Sequence, residues 1–208
     1  MEREYILPGD IEKRSFEIIG EELSQRGIIL DSTTESITKR VIHTTADFDY
    51  AATMAYSENA ARIARNLIRN GADIVTDTNM ARAGINKKRL MEYGGKVHCF
   101  MADDDVAEEA RIRKVTRATV SMERAAKLNK SVIFAIGNAP TALISLKEMI
   151  DSGIFRPEFI IGVPVGFVNV EYAKELFIDG DIPYIINRGR KGGSNVAAAI
   201  CNALIYGM

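Results

Sequence analysis

Cysteine and histidine are scarce in this chain, two of each: Cys99 with Cys201, and His43 with His98. The cysteines lie far apart and form no CxxC, so neither a redox pair nor a zinc knuckle is indicated. The histidines lack HExxH or ligand-pair spacing, and no protein-bound metal is expected. An excess of either charge is missing too. Lys plus Arg number 27 against 28 Asp plus Glu, a formal net charge of −1. That balance argues against nucleic-acid or anionic-membrane binding by bulk charge. No apolar run reaches the roughly 20 residues of a membrane-spanning helix. Met1–Tyr5 carry no apolar signal region, so a cytoplasmic location is expected. Also absent are GxxxxGK(S/T), GxGxxG and GxSxG, which leaves P-loop, dinucleotide and hydrolase-elbow sites without support. No cofactor is expected.

What is present is an ordinary globular composition, 47% hydrophobic and 26% charged over 208 residues. One domain over 1–208 is expected, with a helical part over about 1–71 and a sheet part over about 72–208. Pro8-Gly9-Asp10 reads as a turn into a first helix, whose apolar residues recur at helical spacing until Gly27. A second helix starts at Ser32 or Thr33 and runs to about His43. A third follows Ser57 and stops at Gly71. Residues 44–56 have no clear period. Beyond Gly71, short apolar stretches at 72–77, 96–100, 131–136, 158–163 and 182–186 read as strands. Helical stretches at about 79–92, 106–128, 140–152, 169–178 and 194–206 separate them. This alternation predicts an α/β fold: three α/β/α layers around a mostly parallel sheet of about five strands. Asp103-Asp104-Asp105 reads as a solvated loop capping the next helix rather than a magnesium site. Met54, Met80 and Met101 read as core filling.

Open parallel sheets bind ligands beyond the carboxyl ends of their strands. The residues there are Asp77-Thr78-Asn79, Gly137-Asn138-Ala139-Pro140-Thr141, Pro164-Val165-Gly166-Phe167 and Arg188-Gly189-Arg190-Lys191-Gly192-Gly193-Ser194. Glycines allow close approach to the backbone, and helix N-termini offer free N–H donors to anions. The expected ligand is a large small molecule carrying several spread anionic groups. Phe167 and Tyr50 could stack on it or fill the core.

The stretch Arg40-Val-Ile-His43-Thr-Thr-Ala-Asp47 offers the acid–base chemistry. Histidine is the side chain suited to giving or taking a proton near neutral pH. In a helix, the i,i+3 spacing puts Arg40 and His43 on one face. A substrate anion on Arg40 beside a proton-donating His43 is one reading. A buried histidine hydrogen-bonded to a carbonyl is the other.

Several motifs in order give a more specific signal. They are Ile11-Glu12-Lys13-Arg14-Ser15-Phe16-Glu17-Ile18-Ile19, Arg40-Val41-Ile42-His43, Ala135-Ile136-Gly137-Asn138-Ala139-Pro140-Thr141-Ala142-Leu143, Gly162-Val163-Pro164-Val165-Gly166-Phe167-Val168 and Arg188-Gly189-Arg190-Lys191-Gly192-Gly193-Ser194. With them the chain resembles the precorrin-8X and cobalt-precorrin-8 methylmutases of cobalamin biosynthesis, over nearly its whole length. The resemblance implies an isomerase that shifts a methyl group from C-11 to C-12 of a tetrapyrrole (corrin precursor). The product is hydrogenobyrinate or its cobalt counterpart. It implies His43 as the catalytic acid, protonating the ring C nitrogen. It also implies Ser15, Arg40 and Arg117 as substrate-binding positions, and a homodimer with sites near the subunit interface. Gly137, Asn138, Arg188, Arg190, Gly192 and Ser194 join the candidate substrate site from the loop reading. A non-catalytic corrinoid carrier using the same site is the alternative from another class. An enzyme of a phosphorylated metabolite, with residues 189–194 as its cradle, is a third.

Overall fold

The computed structural model describes residues 5–208; Met1–Glu4, the polar start of the chain, lie outside the described residues. In chain order the elements are α1 (Ile11–Gln25), α2 (Glu35–Thr45), α3 (Tyr50–Thr53), β1 (Met54–Tyr56), α4 (Ala60–Arg69), β2 (Asp73–Thr76), α5 (Asn79–Gly84), α6 (Lys87–Met91) and β3 (Val97–His98). They continue as α7 (Asp104–Arg113), α8 (Arg117–Ala125), β4 (Val132–Ile136), α9 (Pro140–Asp151), β5 (Phe159–Gly162), α10 (Val170–Glu175), β6 (Tyr184–Asn187) and α11 (Ser194–Tyr206).

One sheet of six strands runs in the order β1-β6-β5-β4-β2-β3. The strands from β6 through β3 pair in parallel. The sixth strand, β1, comes from the stretch without a clear period. It pairs antiparallel to β6, with Met54 opposite Asn187 and Tyr56 opposite Ile185. A three-residue edge strand is too short to show an alternation, so its pairing is set by the neighbour.

The interior strands are apolar on both faces because helices cover both. Ile74, Ile133, Ala135, Ile161 and Ile185 point into a core shared with α1, α2, α4 and α11. Their neighbours Val75, Phe134, Ile136, Ile160 and Ile186 point into a second core under α8, α9 and α10. This is the period of two that every strand imposes. Helix α11 is itself buried nearly all round, with Val196, Ala197, Ile200, Cys201 and Leu204 inaccessible. It can be so apolar because α2 packs on it and α1 packs on α2. The N-terminal helices thus form a partial outer layer over α11.

Two long helical stretches are broken in the structure. Residues 79–92 divide into α5 and α6, with the Asn86 side chain accepting from the Arg89 amide at 3.0 Å. Residues 106–128 divide at Lys114, which is left-handed, before Thr116 caps α8 through the Thr119 amide at 3.1 Å. In both cases a capping side chain outcompetes helix continuation. Helix α4 starts after Asn59; Ser57 instead bonds the Tyr184 amide at 2.9 Å and ties the chain to β6. Met80 is exposed, against the expectation of core filling, whereas Tyr50 is buried. Asp103 precedes α7 and Asp105 lies in its first turn; both pair with Arg124. Among the described residues no group of three or more His, Cys, Asp or Glu could hold a metal ion. No described helix is long and apolar enough to cross a membrane.

Candidate active site

His43 lies in the last turn of α2, ahead of the left-handed Ala46 that closes the helix. Its ring is exposed and stacks on Phe16 of α1, with centroids 5.2 Å apart and planes at 18°. Among the described residues neither imidazole nitrogen has a hydrogen-bond partner. The reading of a buried, carbonyl-bonded histidine is therefore overturned. The other histidine is committed elsewhere: His98 Nε2 lies 2.7 Å from Asp73, whose other oxygen takes Lys130 at 2.8 Å.

Arg40 also rests on Phe16, its guanidinium 4.7 Å from the ring centre, and it pairs with Glu12 of α1. Phe16 thus braces both residues of the i,i+3 pair. Ser15 bonds back to the Ile11 carbonyl at 2.9 Å and shares with His43 a hollow of about 450 Å³. Arg40 lines a neighbouring hollow of about 660 Å³ with Glu12, Thr44 and Asn195. Sequence spacing showed neither Phe16 nor Glu12 as a site residue. Their signal was the α1 motif itself, read as a helix and a family marker from which only Ser15 was taken as a site residue.

The remaining candidates lie at the carboxyl edge of the sheet. There the structure assigns several of them work inside the protein. The amides of Gly137, Asn138 and Ala139 all donate to the carboxylate of Asp77, at 2.9, 2.7 and 2.6 Å. The anion expected in that cradle is thus the chain's own. Burial pushes the Asp77 carboxyl up, opposed by these three donors. Only the exposed Asn138 side chain remains to offer a ligand. The glycines too serve packing of backbone on backbone. A Cβ on Gly137 would meet the Gly193 carbonyl at 2.8 Å, and one on Gly192 the Val163 carbonyl at 2.1 Å. Ser194 shares a hydrogen bond with Thr78 at 2.7 Å.

Arg188 and Arg190 are exposed and face Glu175 and Glu171 of α10, at 3.9 and 2.8 Å. Phe167 is 82% exposed and lies under Arg190, so it is not core. Arg117 is the exposed first residue of α8; its neighbour Thr116 bonds Thr141 of α9 at 3.3 Å, which puts Arg117 on the Asn138 side of the rim. Lys191 joins the two groups of candidates. Its ammonium reaches Asp47 and Asp49, just past α2, at 2.6 Å each.

One residue that sequence reasoning missed is Lys174 of α10. It is fully buried, and its ammonium donates to the carbonyls of Gly189 and Lys191 at 2.7 and 2.8 Å. Burial lowers it to about 8, opposed by Glu171 and Glu175, which also face Arg190 and Arg188. Between this value and the ordinary 10.5 the folded chain binds fewer protons than the unfolded one, so folding becomes more favourable as pH rises there. Measured by denaturation, the wild type should gain stability relative to Lys174→Met across that window. A constant difference would contradict it.

An imidazole unpartnered among the described residues and a neighbouring arginine beside open hollows suit acid–base chemistry on an anion; Arg117, Arg188 and Arg190 line neither hollow. Comparison with known proteins narrows this further. Residues 10–207 match the family model described as precorrin-8X methylmutase. The chain belongs to the precorrin-8X methylmutase family. It is 41% identical to the cobalt-precorrin-8 methylmutase of Priestia megaterium over 199 residues, covering 96% of this chain and 88% of that one. It is 37% identical to the precorrin-8X methylmutase of Pseudomonas aeruginosa, covering 97% of each. A solved structure, the precorrin-8X methyl mutase from Thermus thermophilus, superposes with a TM-score of 0.85 at 36% identity, covering 95% of this chain and 96% of that one. As a methylmutase the protein is an isomerase of cobalamin biosynthesis.

Proposed function

We propose that this methylmutase acts in the cytoplasm on precorrin-8X or cobalt-precorrin-8, moving the methyl group from C-11 to C-12, with His43 as the acid at the ring C nitrogen. The observation that carries the role of His43 is its exposed imidazole, braced by Phe16 and without a competing hydrogen-bond partner among the described residues. Protonation makes the adjacent conjugated carbons electron-poor, and the methyl group migrates to them within the same molecule. The proton is returned when the product forms, so no net acid is consumed. A positioned general acid contributes about 10²–10⁴-fold. Holding the macrocycle in its reactive geometry supplies a further share.

The substrate's acetate and propionate groups are matched by Arg40, Arg117, Arg188 and Arg190, which can form charge-assisted bonds to carboxylates. Ser15, Asn138 and Ser194 add polar contacts around them, and Gly137 and Gly192 shape the backbone behind. In the free protein Arg40 is held by Glu12. A substrate carboxylate takes the place of Glu12 on binding. Arg40→Ala should accordingly raise KM about tenfold or more, the worth of one charge-assisted bond, while kcat falls less. Equal loss in kcat with unchanged KM would remove Arg40 from substrate binding.

The hollows beside His43 and Arg40 are open, and Val165, Phe167 and Val168 project from the loop after β5. A homodimer, whose second subunit closes over the corrin ring, fits these features. A visible-spectrum time course with cobalt-precorrin-8 and with the metal-free substrate tests the reading, because methyl migration rearranges the conjugated system. Conversion of either supports it. Tight binding of both without conversion would favour a carrier instead.

A further inference from the structure

The loop after β6 carries the exposed cations Arg188, Arg190 and Lys191, yet its own backbone is held from below. Lys174 donates to the carbonyls of Gly189 and Lys191, and none of its side chain reaches solvent. Asn187 adds two more donations from within the fold, to the carbonyls of Arg188 at 3.2 Å and Lys191 at 2.9 Å. Its side-chain oxygen accepts from the Thr53 hydroxyl at 2.6 Å. The loop therefore turns its carbonyls inward and its cationic side chains outward.

Three residues of α10 grip three points of that loop. Glu171 takes Arg190, Lys174 takes the two carbonyls, and Glu175 faces Arg188. From Lys191 the contact continues to Asp47 and Asp49. Asp47 is four residues beyond His43, immediately after the residue that ends α2. A buried cation serving as filler has no reason to find both its acceptors on one exposed loop. Burying an ammonium is costly unless it is fully hydrogen-bonded, and an apolar side chain could fill the same space.

We propose that Lys174 is a positioning residue for the methyl shift: it holds the Gly189–Lys191 backbone so that Arg188 and Arg190 face the substrate and Lys191 clamps the end of the helix that carries His43. This rests on the reading of His43 and the basic loop as the substrate site. Lys174 does not touch the substrate. It acts through the loop on binding and through Lys191 on the acid.

Lys174→Met, Lys191→Met and the double variant test this with two readouts. In turnover of cobalt-precorrin-8, Lys174→Met should raise KM about tenfold and lower kcat severalfold, on the scale of one or two charge-assisted bonds. Lys191→Met, at the surface, should lower kcat with KM nearly unchanged. The double variant should lose no more kcat than Lys174→Met alone, because both changes cut one connection. Losses in kcat that multiply would overturn the proposal, as would wild-type KM and kcat in Lys174→Met.

The second readout needs no substrate. The chain has two histidines, so His43→Ala assigns both imidazole NMR signals. The His43 signal should shift in Lys174→Met and in Lys191→Met, while that of His98 stays in place. An unmoved His43 signal in the surface variant Lys191→Met would overturn the link to α2, even if Lys174→Met failed to fold. A wild type that converts neither form of the substrate would overturn the proposed function, and the NMR shifts would still decide whether Lys174 positions the loop and His43.

Discussion

His43→Ala should lose at least about a hundredfold in kcat while still binding the corrin substrate, since a positioned general acid contributes about 10²–10⁴-fold. The separation of binding from turnover follows from the geometry. The ring rests on Phe16 at the surface of α2 and supports nothing else; Val41 and Ile42, its neighbours in sequence, make the core contacts. Removing it should leave the fold intact and the cationic rim unchanged. His43→Asn is the sharper companion: it keeps a polar side chain of moderate size but cannot deliver a proton. Both variants should retain the wild-type thermal transition and absorb substrate into the complex without the later spectral change. Unaltered turnover in either would assign the acid to another group, and a loss of binding equal to the loss of kcat would make His43 a contact residue.

Asp77→Ala should be the most destabilising single change near the site, costing about 3 kcal/mol or more. Three amides at the start of α9, that of Gly137 buried, depend on this buried carboxylate, and leaving a buried donor without an acceptor costs about 1–3 kcal/mol. For a chain of this size that corresponds to a transition about 6–12 °C lower. Asp77→Asn should fall between, because its carboxamide keeps one acceptor oxygen but turns an N–H group toward an amide that also donates. Thermal denaturation of the two variants beside the wild type measures this directly. If Asp77→Ala melted with the wild type, another acceptor or water would have to satisfy the amides.

Much of this could be read from the chain itself. Apolar stretches such as Val132–Ile136 leave little choice but a doubly covered strand, because both faces are hydrophobic. Pro140 at the start of α9 is a local signal that needs no neighbour. The motif around His43, with four others in order, carried the family.

What sequence could not decide was which groups meet. Met54–Tyr56 is a strand only because β6 offers it a free edge. The cradle after β4 reads as an anion site until β2 is placed beside β4, which brings Asp77 to it. Sequence order would pair β2 with β3 and leave β4 further off; the sheet instead seats β2 between them. The same holds for Lys174. In sequence it is one lysine on a short surface helix, and its burial depends on a loop that follows the next strand.

By itself the sequence determined the alternation of strands and helices and the family to which the chain belongs. These depend on local pattern and residue chemistry. Tertiary structure alone decided that Phe16 braces His43 and Arg40, that Asp77 fills the cradle and that Lys174 holds the basic loop. Each of these pairs residues far apart in the chain, and short-range periodicity carries no information about such partners.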